Sequence, residues 1–130
     1  IIYYSRKGEN YWNGSIKNLT RGNTEIVAEM IAEMTGADLF QVETVKTYDA
    51  DYYICIEEAK AELREGARPE LKSYMDSLEG YDTIFVGYLA GGVLCPWPCL
   101  HFWSTMTCPA SGSFPSAPTR EAAWAAVREI

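Results

Sequence analysis

The sequence predicts an α/β protein built on a parallel sheet. Short apolar runs alternate with stretches of helical periodicity through residues 1–88, and strand–helix alternation sets strands parallel with right-handed crossovers. A chain of 130 residues forms one domain, large enough to bury its own core. A third observation confines the prediction to the first two thirds. Residues 1–88 carry sixteen acidic and nine basic side chains and one Pro, whereas residues 89–130 carry two acids, two bases, five Pro, three of the four Trp and three of the four Cys.

The elements follow in order. Ile1-Ile2-Tyr3-Tyr4 is a β-rich run, a fragment of a first strand near 1–4. Ser5 to Gly22, with Gly8, Asn10, Asn13, Gly14 and Asn18, reads as a long polar loop. Asn23 or Thr24 caps a helix to about Met34, with Ile26, Val27, Met30, Ile31 and Met34 on one apolar face. Gly36 stops it. Residues 38–43, DLFQVE, form a second strand, and Asp49 or Asp51 opens a helix to Glu65, ended by Gly66. Pro69 to Leu78 is expected as a short helix and residues 82–88 as a third strand. In the tail, Thr119 is the expected N-cap of a helix Arg120–Ile130, favoured by Ala122, Ala123, Ala125 and Ala126.

The net charge of −7 comes entirely from residues 1–88. It argues against nucleic acid, whose binding needs clustered Lys and Arg. Thr83 to Met106 is uncharged and about long enough to span a bilayer. Gly87, Gly91, Gly92, Pro96 and Pro98 interrupt it, so no membrane span is expected. The chain starts at Ile1 without Met, consistent with residues upstream, and shows no secretory signal. Cys55 is alone in the first part, and a reduced, cytoplasmic setting is the expectation.

One motif carries chemistry. A strand, a Ser, then Gly22-Asn23-Thr24 at a helix start can hold a phosphate, because the first turn offers unpaired N–H groups and the positive end of the helix dipole. The same three residues also serve as a plain turn and helix cap, and spacing alone leaves both readings open.

The stretch IIYYSRKGENYWNGSIKNLTRGNTEIVAEMI resembles the opening of the flavodoxin family, in the variant whose phosphate loop is split by an insertion. AKAELREGARPEL and YDTIFVGY resemble later stretches of that variant. The resemblance covers residues 1–88. It implies a truncated flavodoxin-like parallel sheet in strand order 2-1-3, a β-α-β-α-β core over 1–88, and an irregular, partly helical tail over 89–130. It implies FMN as cofactor and electron transfer as the function, with Ser5, Arg6, Arg21, Gly22, Asn23 and Thr24 at the FMN phosphate. Whether the chain is an enzyme, as an FMN-dependent oxidoreductase, or a carrier stays open.

The departures lie in the tail. The family's Trp-rich loop after the third strand, which touches the isoalloxazine ring, is Leu89-Ala90-Gly91-Gly92 here. Read one base out of register, the codons of residues 89–97 permit x-S-W-W-G-T-M-P-M-A, and those of residues 117–124 permit T-H-E-G-S-G-L-G. Both resemble family motifs in the right order. The expectation is a flavodoxin-like gene that lost one nucleotide, or the equivalent, after the codon for Tyr88. The phosphate half of the site is then retained and the ring half lost, and FMN binding is expected weak or absent.

The alternatives are a cofactor-free oligomer and a metal-binding module. Self-association is expected from the apolar tail and from an open sheet edge at the third strand; the competing account is a tail that packs back on its own core and replaces the lost strands. Cys95, Cys99, His101 and Cys108 could make a tetrahedral metal site, but their spacing matches no familiar zinc module and no metal is assigned. Glu57, Glu58, Glu62 and Glu65 read as a solvated helix face. Tyr11 and Trp12 either shield a flavin or cover the sheet; the sequence does not choose.

Overall fold

A computed structural model describes residues 1–78, 80, 81 and 83–88, together with the backbone of 123–128. Four strands form the main sheet: β1 (Ile2–Tyr3), β4 (Phe40–Gln41), β5 (Thr83–Tyr88) and β6 (Ala123–Arg128). A separate hairpin pairs β2 (Gly8–Trp12) with β3 (Ser15–Leu19), and the helices are α1 (Asn23–Thr35) and α2 (Tyr52–Glu65). The sheet order is β4-β1-β5-β6. Both neighbours of β1 run parallel to it, with Ile2 opposite Phe40 on one side and Val86 on the other. The three parallel strands thus lie in the 2-1-3 order that the family resemblance implies.

Short as β1 and β4 are, the ladder runs past them. The Tyr4 amide donates to Gly87 O at 2.9 Å and the Val42 amide to Tyr3 O at 2.8 Å. Ile2, Val42, Leu71, Leu78, Ile84, Val86 and Tyr88 form the core, with Tyr4, Phe40 and Met75 packed against it. Central strands buried on both faces read as continuous apolar runs, as 83–88 does.

The helices follow their caps. The Asp51 carboxylate accepts from Tyr53 N at 2.8 Å and Ile54 N at 3.1 Å, and Gly66 closes α2 in the left-handed region at φ 63°. Gly36 closes α1 at φ 69°. The N-cap of α1 is Gly22, not Asn23 or Thr24. The expected apolar face of α1 is also only partly used. Ala28 is fully buried, while Met30 and Met34 are exposed.

Three further expectations are overturned. Residues 5–22 are not a loop throughout: 8–19 is a hairpin, turned by Asn13 (φ 46°) and Gly14 (φ 87°). Two consecutive positive φ values suit the twist of the flanking strands, and Asn-Gly is the pair that adopts them most readily. Residues 69–78 are not helical. Leu71 bridges antiparallel to Thr44, with Val45 N donating to Glu70 O at 2.8 Å and Lys72 N to Glu43 O at 2.9 Å. That pairing satisfies the backbone leading out of β4 and seats Leu71, Met75 and Leu78 in the core. Finally, 123–128 is a strand, not part of a helix 120–130. It pairs antiparallel with β5, Tyr88 opposite Ala123 and Thr83 opposite Arg128. Helix propensity is worth only about 0.7 kcal/mol per residue or less, and six ladder positions on an otherwise open edge outweigh it.

The remaining tail expectations fall outside the described residues, among them Leu89-Ala90-Gly91-Gly92 and the Cys95, Cys99, His101, Cys108 set. Among the described residues no helix is long and apolar enough to cross a membrane. No cluster of three or more His, Cys, Asp or Glu is arranged there to hold a metal ion.

Candidate functional site

The candidate site is the start of α1, where two segments separated by the hairpin meet. Ser5 follows β1 and is nearly buried. Its hydroxyl oxygen accepts the backbone N–H of Glu25, the third residue of α1, at 3.0 Å. Glu25 reaches back, its Oε2 accepting from Gly22 N at 3.2 Å. The result is a capping box whose hydroxyl comes from another segment of the chain, because the N-cap is glycine and has none of its own.

Gly22 is required here for space rather than for conformation. Its φ of −69° and ψ of 153° suit any residue. A Cβ at this position would lie 2.1 Å from Ser5 Oγ and 2.5 Å from Arg6 O. The segment that follows β1 and the head of α1 are therefore in direct contact.

Around this contact the first turn keeps unused hydrogen-bonding capacity. Among the described residues nothing accepts from the backbone amides of Asn23 and Thr24, and the buried Thr24 Oγ1 and Asn23 Oδ1 have no partner. Buried polar atoms are rarely left so, each costing about 1–3 kcal/mol. With its oxygen accepting from Glu25 N, the Ser5 hydroxyl still has its proton to donate.

The structure separates the six residues assigned from the sequence. Ser5, Gly22, Asn23 and Thr24 converge on the helix start. The Arg6 guanidinium turns away, donating to Asp49 O at 2.6 Å, Ala50 O at 2.9 Å and Glu9 O. Arg21 pairs with Glu29 on the exposed side of α1. Both charged heads thus have partners within the chain. Lys7 Nζ lies 3.7 Å from Glu25 Oε1.

Two contributors escaped the sequence reading. Glu25 is one, a buried carboxylate at the helix start that already satisfies the Gly22 amide. Glu three positions after a cap residue is the capping-box signal that could have found it. Burial first, then the charges of Glu25 and Glu43, hold the Tyr3 phenol above its ordinary pKa. The other is Asn10, buried in the hairpin, whose Nδ2 donates to Arg6 O at 2.9 Å and Gly8 O at 3.2 Å. It fixes the turn that leads out of Ser5; no local sequence signal marks it.

A polar cleft of about 360 Å³ adjoins the site at the carboxyl ends of β1 and β4, between residues 4–8 and the segment 41–50. Its cations are occupied: Lys46 bonds Glu62 at 2.8 Å and Lys72 lies 3.6 Å from Glu43.

Residues 17–106, more than half of the chain, match the family described as Flavodoxin. The match opens within β3 and runs past Tyr88 to residue 106. No curated protein and no solved structure matches the chain.

Proposed function

The chain belongs to the flavodoxin family, and from that premise we propose that it binds FMN by its phosphate at the start of α1, as an electron-transfer protein by descent whose hold on the flavin ring is weakened. The observation that carries this is the unsatisfied first turn. Thr24 Oγ1 has no partner, and the Asn23 and Thr24 amides have no acceptor among the described residues. A phosphate oxygen supplies those acceptors, and the helix dipole favours its charge.

The residues fit the group. Ser5 and Thr24 would donate hydroxyl protons, the Asn23 and Thr24 amides would donate N–H, and Gly22 keeps the wall thin enough for close approach. FMN, when bound, supplies reversible one- and two-electron chemistry. The chain's share is to hold it by the phosphate, orient it, and exclude water on one side. The buried Glu25 carboxylate limits that hold, since it places a like charge beside the cradle. The segment after β5 carries Leu89-Ala90-Gly91-Gly92 where the family has ring-contacting Trp, so the ring, which would supply most of the buried apolar area, contributes less to affinity.

The test is titration of the full chain with inorganic phosphate and with FMN, following the amide resonances of residues 22–25. Movement confined to those amides supports the cradle. FMN is expected to bind with a Kd above about 1 μM. Unmoved amides at 22–25 with either ligand would show that the motif is a turn and a cap only.

A further inference from the structure

The main sheet ends differently on its two sides. On one side β4 is two residues long, and the chain that follows it is covered: Thr44 bridges Leu71, and Lys72 N donates to Glu43 O at 2.9 Å. On the other side stands β6, paired with β5 along one edge only. Among the described residues nothing pairs with its outer edge. Edge strands ordinarily carry something that discourages a further strand, such as a proline, a bulge or a charge in mid-strand. The sequence of β6, AWAAVR, has no Pro and no Gly, and its one charge stands at the end. Its pairing with β5 runs residue for residue, without a bulge. In an antiparallel ladder one residue gives its N–H and C=O to one neighbour and the next residue turns them the other way. Alternate residues of β6 therefore offer both a donor and an acceptor to the outside.

Charge selects the occupant of that edge. The net charge of −7 lies wholly in residues 1–88, while residues 89–130 are neutral, with Arg120, Glu121, Arg128 and Glu129 as their only charged side chains. Two copies of this chain repel each other through residues 1–88 and not through β6. A two-fold axis normal to the sheet brings the strand antiparallel against itself and keeps each face of the sheet on its own side. Residues that meet across the axis must then share a face, so even positions meet even and odd meet odd. Two such registers centre on the strand, one about Ala125 and one about Ala126. The first would set Glu121 opposite Glu129, like charges at the same level. The second would set no like charges opposite and would place Arg128 across from Trp124, a pairing of cation with aromatic. We propose that the outer edge of β6 docks a second copy of this chain, β6 against β6 about Ala126, joining the two sheets into one. The pairing is independent of any ligand at the start of α1.

The experiment uses the full chain. Light scattering on a size-exclusion column is expected to give twice the 14.6 kDa of one chain. Ala125→Pro and Ala126→Pro are then compared. Adjacent residues turn their N–H groups to opposite sides, so one of the two prolines removes only an outward donor and leaves the ladder to β5 intact. That variant is expected to keep its far-ultraviolet spectrum and to halve in mass. The register is read with Ala126→Cys. Ala126 stands opposite Phe85, off the face of Ile84, Val86 and Tyr88 that forms the core. Directly opposed residues have Cβ atoms about 4.5–5.5 Å apart, close enough for a disulfide after a small adjustment. Mild oxidation is expected to give a covalent dimer that peptide mapping shows to be linked 126 to 126, with no comparable link at 125 in Ala125→Cys. A mass of one chain at every concentration, a dimer that persists in both proline variants, or the absence of a 126-to-126 link overturns the proposal. Should both proline variants unfold, the crosslink decides. Phosphate shifts at residues 22–25 are expected alike in dimer and monomer, so a failure of either reading leaves the other standing.

Discussion

Ser5 Oγ accepts the backbone N–H of Glu25 at 3.0 Å across twenty positions of sequence. The bond makes the end of β1 part of the cap of α1. Replacing Ser5 with Ala removes an acceptor from a buried amide and a donor from the proposed phosphate site. The loss in unfolding free energy is expected near 1 kcal/mol, read by urea denaturation, with weaker phosphate shifts at residues 22–25. A variant as stable as the wild type would mean that the bond is not formed in solution.

Gly22→Ala tests the contact between the loop halves. The backbone angles tolerate alanine, so the cost is steric, from a methyl 2.1 Å from Ser5 Oγ and 2.5 Å from Arg6 O. Forced overpacking of this kind costs about 1–3 kcal/mol. Ser5 can rotate away but Arg6 O is backbone and cannot, so we expect the loss even in a Ser5→Ala background. Full stability in the double variant would show that only the hydroxyl stands in the way.

Alkaline pH should unfold the protein earlier than exposed tyrosines would require. Burial, then the hydrogen bond to Glu62, raises the pKa of Tyr48, and burial, then Glu25 and Glu43, raises that of Tyr3. A phenol whose pKa is higher in the folded state gives full stability below its unfolded value of about 10 and loses it as pH climbs through the folded value. Absorbance of tyrosinate should therefore show Tyr3 and Tyr48 ionising only together with loss of the far-ultraviolet helix signal. Reversible ionisation of all tyrosines near pH 10 in a folded chain is the contrary result.

Self-association is the expectation for the tail. β6 covers the edge of β5, which moves the end of the sheet to β6. Light scattering on a size-exclusion column is expected to give a mass above the 14.6 kDa of one chain, and truncation after Tyr88 to abolish the larger species. A single mass of one chain across a wide concentration range would contradict this.

Much of the fold was legible because its signals are local. The Asp51 and Gly66 caps, the run 83–88 and the strand–helix alternation each declare themselves within a few residues. The hairpin was equally legible in principle: Asn13-Gly14 is a turn pair, hidden by the polar residues on both sides of it. Residues 69–78 and 123–128 were not, because each takes its conformation from a partner strand. Arg6 and Arg21 enter the expected phosphate site through the family resemblance. Their partners within the chain, the carbonyls of residues 49 and 50 and the Glu29 carboxylate, exist only after folding. Glu25 shows the converse, a residue of an ordinary helix until Gly22 and Ser5 surround it.

The split cap also says something about time. An isolated segment spanning α1 has Gly22 at its head and no hydroxyl to hold the Glu25 amide, so its first turn frays. The hydroxyl arrives only when the chain has closed a loop of twenty residues and β1 has found its neighbours, an entropic toll that nearby helix contacts do not share. This first turn is thus among the last parts of α1 to become rigid and the first to loosen. Hydrogen exchange at Glu25 should follow the opening of the β1 junction, and not the faster breathing of the helix that contains it.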